Sequence, residues 1–266
     1  IGLSKLAKEK GVSINCDSNV DRLNIANGNV ENIVVNGEKL FFDGIIASAD
    51  YHHVEQKLLD KPFRNYSTEY WDKREMSPSS LLFYVGVDKR LNNLQHHNLF
   101  FDADFDQHAK EIYDNPKWPK NPLFYLSCPS ITDSSLAPKG NENLMFLIPL
   151  APGLEDTNEM REKYFDIVLK RLKDLTGNDI EKNIIFKKSY CVNDFEKDYN
   201  SFKGNAYGLA NTLRQTAVLK PRMRNKKLNN FYYTGQLTVP GPGVPPSIIS
   251  GQIVAMEIDK FLKKAS

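Results

Sequence analysis

The sequence predicts an α/β chain, α+β overall, in which a sheet-and-helix unit is inserted between two segments of a first unit. Three observations predict it. Residues 1–50 read as a helix, a β-meander and a return strand. After Pro62 the pattern changes to half-buried strands separated by helices and long polar loops. From residue 230 a strand, a Gly/Pro loop and a helix follow one another again. The corresponding segments are residues 1–60, 61–223 and 224–266.

Residues 1–10 place Leu3, Leu6 and Ala7 on one helical face, which Gly11 ends. Short β runs follow at residues 12–16, 19–25, 30–35 and 39–42, with Asn27-Gly28 and Asn36-Gly37 as tight hairpin turns. Residues 44–49 read as a buried apolar strand that leads into a helical stretch carrying Tyr51, Val54 and Leu58. Beyond Pro62, residues 79–87, 123–128, 143–148 and 183–191 alternate as strands of an expected antiparallel sheet. Residues 158–175 put Met160, Tyr164, Ile167, Val168, Arg171, Leu172 and Leu175 along one face of its covering helix. The last strand is expected at residues 231–234, and the last helix begins near Pro245 or Pro246.

With 35 Lys and Arg against 33 Asp and Glu, the 266-residue chain carries a formal charge of +2, which argues against nucleic acid as a partner. A 41% hydrophobic content is that of a globular protein with a sizeable core. The longest mostly apolar run, residues 144–154, contains two prolines and falls well short of the roughly 20 residues that span a bilayer. Cys16, Cys128 and Cys191 have no CxxC spacing and read as reduced thiols of a cytoplasmic protein. Because the chain opens at Ile1 inside a helix in progress, it is expected to be a piece of something longer.

Chemistry concentrates in residues 232–258, YYTGQLTVPGPGVPPSIISGQIVAMEI. Gly241 and Gly243 let backbone approach a flat ligand where a Cβ would clash. Proline suits a first helical turn, and a helix N-terminus presents N–H groups and partial positive charge to an electron-rich oxygen. The segment therefore describes a backbone cradle for a ring carbonyl that gains negative charge on reduction. A plain strand–turn–helix connection with incidental glycines is the alternative.

This segment resembles the C-terminal signature of the phytoene desaturase-type carotenoid flavoproteins. Residues 11–50, closing in GIIASAD, look like that family's second β-meander. Residues 125–149, YLSCPSITDSSLAPKGNENLMFLIP, and residues 200–208, NSFKGNAYG, are similar to its next two stretches in the same order. The resemblance implies an incomplete FAD-binding domain of the amine oxidase-like, glutathione reductase-like type, with an inserted substrate domain. It implies that Gly235, Gln236, Gly241, Gly243, Val244 and Pro245 line the ribityl chain and isoalloxazine of FAD, and that the Val20 backbone holds the adenine. Two departures stand out: Gln236 replaces an acidic residue common in related oxidases, and Pro242 stands where many members carry another glycine. No GxGxxG occurs in the chain, so the pyrophosphate-binding turn is expected upstream of Ile1, and the chain alone is expected to hold FAD poorly.

Other candidates are weaker. His52-His53 and His96-His97 are neighbours that rarely share a metal, so no metal is expected, and no Ser-His-Asp order stands out. Lys220, Arg222, Arg224, Lys226 and Lys227 form a basic run, read as a solvated loop or a contact to anionic lipid. Phe100, Phe101, Phe105, Tyr113 and Trp118 read as core or as an entrance at a membrane surface.

The expected function is FAD-dependent desaturation of an apolar isoprenoid such as phytoene in carotenoid biosynthesis, on a protein peripheral to the inner face of the membrane. Carotene isomerisation, retinol saturation and a non-catalytic lipid-binding module are the alternatives. An amine-oxidising flavoenzyme would carry an aromatic pair facing the flavin, which the Gly-rich loop does not offer. No general acid or base is assigned.

Overall fold

The structure, a computed structural model, describes residues 2–265; Ile1 and Ser266, which the sequence reading places in terminal helices, lie outside the described residues. Helix α1 (Gly2–Glu9) ends at Gly11, whose φ of +84° is open to glycine without strain. Residues 12–16, expected as a strand, form none: Val12 and Ile14 are exposed, and the Val12 N–H donates back to the Ala7 carbonyl of α1 instead of to a strand. Strands β1 (Val20–Ala26), β2 (Asn29–Val35) and β3 (Glu38–Phe41) form an antiparallel meander. Both turns have positive φ at their Asn and Gly, the signature of the hairpin-favouring mirror-image turn.

Strand β4 (Ile45–Ala47) leads through Asp50 into α2 (Tyr51–His53), which continues as a wide turn to Leu58. After α3 (Thr68–Asp72) come β5 (Ser79–Val87), β6 (His97–Phe100), α4 (Phe105–Tyr113), β7 (Phe124–Ser127) and β8 (Glu142–Leu150). Helix α5 (Asn158–Thr176), β9 (Ile184–Tyr190) and α6 (Val192–Tyr199) complete this part. The five strands make one antiparallel sheet in the order β6-β7-β8-β5-β9. Alternate residues of β5 (Leu81, Phe83, Val85) and β8 (Leu144, Phe146, Ile148) point into a core closed by Tyr164, Phe165, Val168 and Leu172 of α5. Leu175, expected on that face, is exposed in the last helical turn before Gly177. Strand β6 and helices α4 and α6 were not expected; β6 has only four residues, too few for periodicity to register.

Strand β10 (Phe231–Tyr233) pairs in parallel with β4, Phe231 opposite Ile45 and Tyr233 opposite Ala47, and α7 (Val244–Ala265) follows. The two ends of the chain therefore share one small sheet. Strand β4 is only half covered, with Ile46 exposed, because this sheet has two strands. A second core gathers here around Tyr51, which stacks on Tyr233 at 3.9 Å between centroids. Trp71, Met76 and Leu209, from within the 61–223 range, belong to this core.

Candidate functional site

The loop that joins β10 to α7 is organised by one serine. Thr234 continues the parallel pairing by donating its N–H to the Ala47 carbonyl at 3.0 Å. Buried Ser250 Oγ accepts the Gly235 N–H at 3.0 Å and donates to the Ser247 carbonyl at 2.7 Å, tying the strand end to the helix. The Thr238 hydroxyl and N–H both donate to the Gly235 carbonyl. Gly235, Gly241 and Gly243 have φ of +102°, +131° and +106°, a region that β-carbon residues avoid. Gly208, closing the NSFKGNAYG stretch, packs against Gln236: a Cβ there would lie 3.0 Å from the Gln236 carbonyl oxygen.

Gly235 and Gln236 line a cavity of about 750 Å³ between the ends of β4 and β10 on one side and α6 with residues 199–206 on the other. Gln236 also lines a neighbouring cavity of about 510 Å³ with Gly243, Val244 and Leu3. Val20, Gly241 and Pro245 line neither of these two; Val20 is the first residue of β1, paired with Val35. Four of the seven candidate positions thus share one loop, Val244 and Pro245 open the helix that follows it, and the seventh lies in the meander.

Helix α7 starts at Val244, one or two residues earlier than expected, so Pro245 and Pro246 occupy its second and third positions. Neither has an N–H, which leaves this helix end with few donors. The basic run also divides. Arg222, Arg224, Lys226 and Lys227 are exposed, but Lys220, expected with them in a solvated loop, is buried at 4% exposure. Its side chain folds under the loop, so that a Cβ on Gly241 would meet Lys220 Cε at 3.3 Å and Nζ at 3.5 Å.

The first cavity also holds Asp50, the last residue of GIIASAD, which the sequence reading passed over as a candidate. Its carboxylate accepts the N–H of His53 at 3.0 Å and of Phe202 at 3.3 Å, while burial pushes its pKa up to about 6. The signal was present: an Asp between an apolar strand and a helical stretch is an N-cap. Glu55 was missed too. It is fully buried beneath Tyr233, which donates to it at 3.2 Å, and accepts the N–H groups of Asn65 and Tyr66; burial pushes it up to about 7.

Phe100 is buried and stacked on Phe124 at 4.3 Å, whereas Phe101, Phe105 and Tyr113 are exposed. These three, with Leu99 and Ile112, line an apolar cavity of about 300 Å³ between α4 and the five-stranded sheet. Trp118 packs on the sheet core and donates to the Glu155 carbonyl. His52 stacks on Phe202, and His96 and His97 bond to Thr132 and Tyr125. No group of three or more His, Cys, Asp or Glu that could hold a metal occurs among the described residues. The residues of YLSCPSITDSSLAPKGNENLMFLIP do structural work: Asp133 caps a turn at Ser135, and buried Glu142 accepts from Ser130 and pairs with Arg90.

Residues 3–259 match the family described as flavin containing amine oxidoreductase. The chain is 41% identical over 254 residues to the carotenoid 3,4-desaturase of Haloarcula japonica, covering 96% of this chain and 51% of that protein. It is 32% identical over 265 residues to a 4,4'-diapophytoene desaturase (4,4'-diaponeurosporene-forming) of Staphylococcus haemolyticus, covering 96% of this chain and 53% of that one. The chain spans about half the length of these curated relatives. Among solved structures, an oxidoreductase from Methanosarcina mazei has a TM-score of 0.61 at 14% identity, covering 96% of this chain and 52% of that one. A Pyrococcus furiosus protein has a TM-score of 0.55 at 14% identity, covering 97% and 50%. The chain belongs to the flavin-containing amine oxidoreductase family, with its mixed α/β fold.

Proposed function

We propose that, within this family, the chain supplies one wall of an FAD site in a protein that desaturates a long-chain isoprenoid such as phytoene. The observation that carries the reading is the loop between β10 and α7. Of its three positive-φ glycines, Gly235 lines a large cavity between the two parts of the chain and Gly243 lines the neighbouring one. A flat cofactor ring needs such close backbone approach, which glycine permits because it carries no Cβ. The 41% identity to a carotenoid 3,4-desaturase supports the substrate class.

The residues present fit a flavin. Gly235, Gln236, Gly241, Gly243, Val244 and Pro245 form its C-terminal wall, and Val20 offers backbone to the adenine. When bound, FAD would supply the acceptor for the hydride, a proton leaving to solvent from the neighbouring carbon, as a C–C bond becomes C=C. The protein's part is to hold the ring, exclude water and align a substrate that offers no polar handle. The apolar cavity of Leu99, Phe101, Phe105 and Tyr113 receives the isoprenoid chain in this reading.

The same reading divides the chain into residues 1–60 with 224–266, half of the cofactor domain, and residues 61–223, the substrate domain. The separate sheet core of β5, β8 and α5 supports the division. Residues 63–76 and 202–209 form the seam, since they pack on the Tyr51 core.

An isoprenoid resides in the bilayer, and no helix among the described residues is long and apolar enough to cross one. The protein therefore docks at the cytoplasmic membrane surface through the exposed aromatic residues beside α4, aided by Arg222, Arg224, Lys226 and Lys227.

Anaerobic incubation of the flavin-loaded full-length protein with phytoene-like and retinol-like substrates tests the activity. Conversion to a product with added double bonds supports desaturation. Isomerised or saturated product alone replaces it, and binding without turnover leaves a lipid-binding module. Gly243→Val is expected to abolish flavin retention, while Gln236→Ala, which removes one side-chain contact of about 1 kcal/mol, is milder.

A further inference from the structure

We propose that Lys220 is a cofactor-binding residue whose ammonium supplies the positive charge behind Gly241 against which the electron-rich carbonyl edge of the flavin is held. The inference rests on the FAD reading above and adds to it a side chain outside the Gly/Pro loop.

Two independent observations converge on this lysine. First, its Nζ is buried with no hydrogen-bond partner, and no carboxylate lies within ion-pair distance of it among the described residues. A buried ammonium without a counter-charge is strongly disfavoured, and burial pushes the Lys220 pKa down. An anionic or electron-rich partner is what would keep it charged. Second, the ammonium abuts the loop at Gly241, whose φ of +131° favours glycine. A Cβ built on Gly241 would lie 3.3 Å from Lys220 Cε and 3.5 Å from Nζ, so the end of the lysine side chain packs directly behind this glycine. Asn211 Oδ1 lies 3.8 Å from the same point and gives the site a polar neighbour.

Helix α7 makes the lysine necessary. In a cradle of this kind the partial positive charge is expected from helix N–H groups, but Pro245 and Pro246 remove two donors from the first turn of α7. A side-chain cation then has to supply what the helix end does not. Lys220 ends a short turn in which its own N–H donates to the Ala217 carbonyl.

The test compares flavin-loaded full-length protein with its Lys220→Met and Lys220→Arg variants, reading the FAD midpoint potential and the affinity for sulfite. Sulfite adds to the oxidised ring more readily when positive charge stands at the carbonyl edge. Lys220→Met is expected to lose at least tenfold in preference for the reduced form, about 30 mV for a two-electron couple, and at least tenfold in sulfite affinity. Lys220→Arg is expected to restore most of both, which a merely structural lysine would not require. A potential and sulfite affinity unchanged in Lys220→Met, with flavin retained, overturn the assignment and leave the FAD reading standing. A wild-type full-length protein that holds no flavin overturns both. Should the methionine variant fail to fold, the 15N resonance of Lys220 Nζ in the unaltered protein decides. An ammonium pKa that rises on FAD loading supports the proposal, and one that does not move overturns it.

Discussion

Helices α5 and α7 are alike in length, and α7 is the more apolar, yet α5 is the better buried. Helix α5 puts Tyr164, Phe165, Val168 and Leu172 into the sheet core and is closed by Thr157 at one end and Gly177 at the other. Helix α7 buries Val254 and Ser250, seats Ile258 against Gly44, and leaves Val244, Ile248, Ile249, Ile253 and Met256 exposed. The difference lies in the sheets beneath them. Five antiparallel strands offer α5 a continuous apolar floor, whereas the β4–β10 pair offers α7 a floor two strands wide. An apolar helix face is only as buried as the surface it meets, so α5 is covered by its sheet while α7 keeps an open face.

The contrast can be broken most directly in the two cores. Phe146→Ala, in the fully buried centre of β8, is expected to cost about 3–5 kcal/mol in denaturant unfolding. Ile253→Ala on the exposed face of α7 is expected to cost under about 0.5 kcal/mol. Equal losses would mean that α7 is covered in solution and that the contrast is wrong.

A second measurement separates the parts by pH. Glu55 belongs to the Tyr51 core, and its folded pKa of about 7 stands above its ordinary 4.5. The folded state therefore holds this proton more tightly than the unfolded chain does. Stability from Glu55 is complete below pH 4.5 and is lost as pH rises through about 7, by up to about 3 kcal/mol at ~1.4 kcal/mol per pH unit. Melting curves of the β4–β10 part should show this slope, and Glu55→Gln should lack it. A slope of the same size in both proteins assigns the proton elsewhere.

A smaller effect is expected at the junction of meander and strand. Asn230 accepts the Val30 N–H at 2.8 Å and donates to the Val30 carbonyl at 2.9 Å, all buried. Asn230→Ala leaves both groups unpaired and should cost about 1–3 kcal/mol, read as faster hydrogen exchange in β2 and β10 with β5 and β8 unchanged. Protection lost equally in the five-stranded sheet would show that the two parts unfold as one. Smallest of all, Lys263→Ala on α7 removes an exposed i,i+4 pair with Asp259 and should change stability by under about 0.5 kcal/mol in thermal melts.

Much of this could be read from neighbouring residues. Asn27-Gly28 and Asn36-Gly37 set the hairpin turns because only a few residue types tolerate positive φ, and that constraint is local. The face of α5 and the strands β5 and β8 followed from side-chain period for the same reason. The loop of Gly235, Gly241 and Gly243 announced itself by composition, and the resemblance it carried led to the family. Helix α7 starts one or two residues before the expected Pro245 or Pro246, and both prolines sit in its first turn, where neither has an N–H to offer.

Other features had no local signature. The parallel pairing of Phe231 with Ile45 joins segments from opposite ends of the chain, and nothing in either tripeptide names its partner. Residues 12–16 carry alternation fit for a strand but meet no edge, so they stay unpaired. Lys220 shows the limit best. In sequence it is one of five cations, indistinguishable from Arg222 or Lys226; in the fold it alone of the five is buried, with its ammonium against Gly241. Residue type sets the cost of taking a charge out of water, but whether that cost is incurred depends on which distant segments close over it.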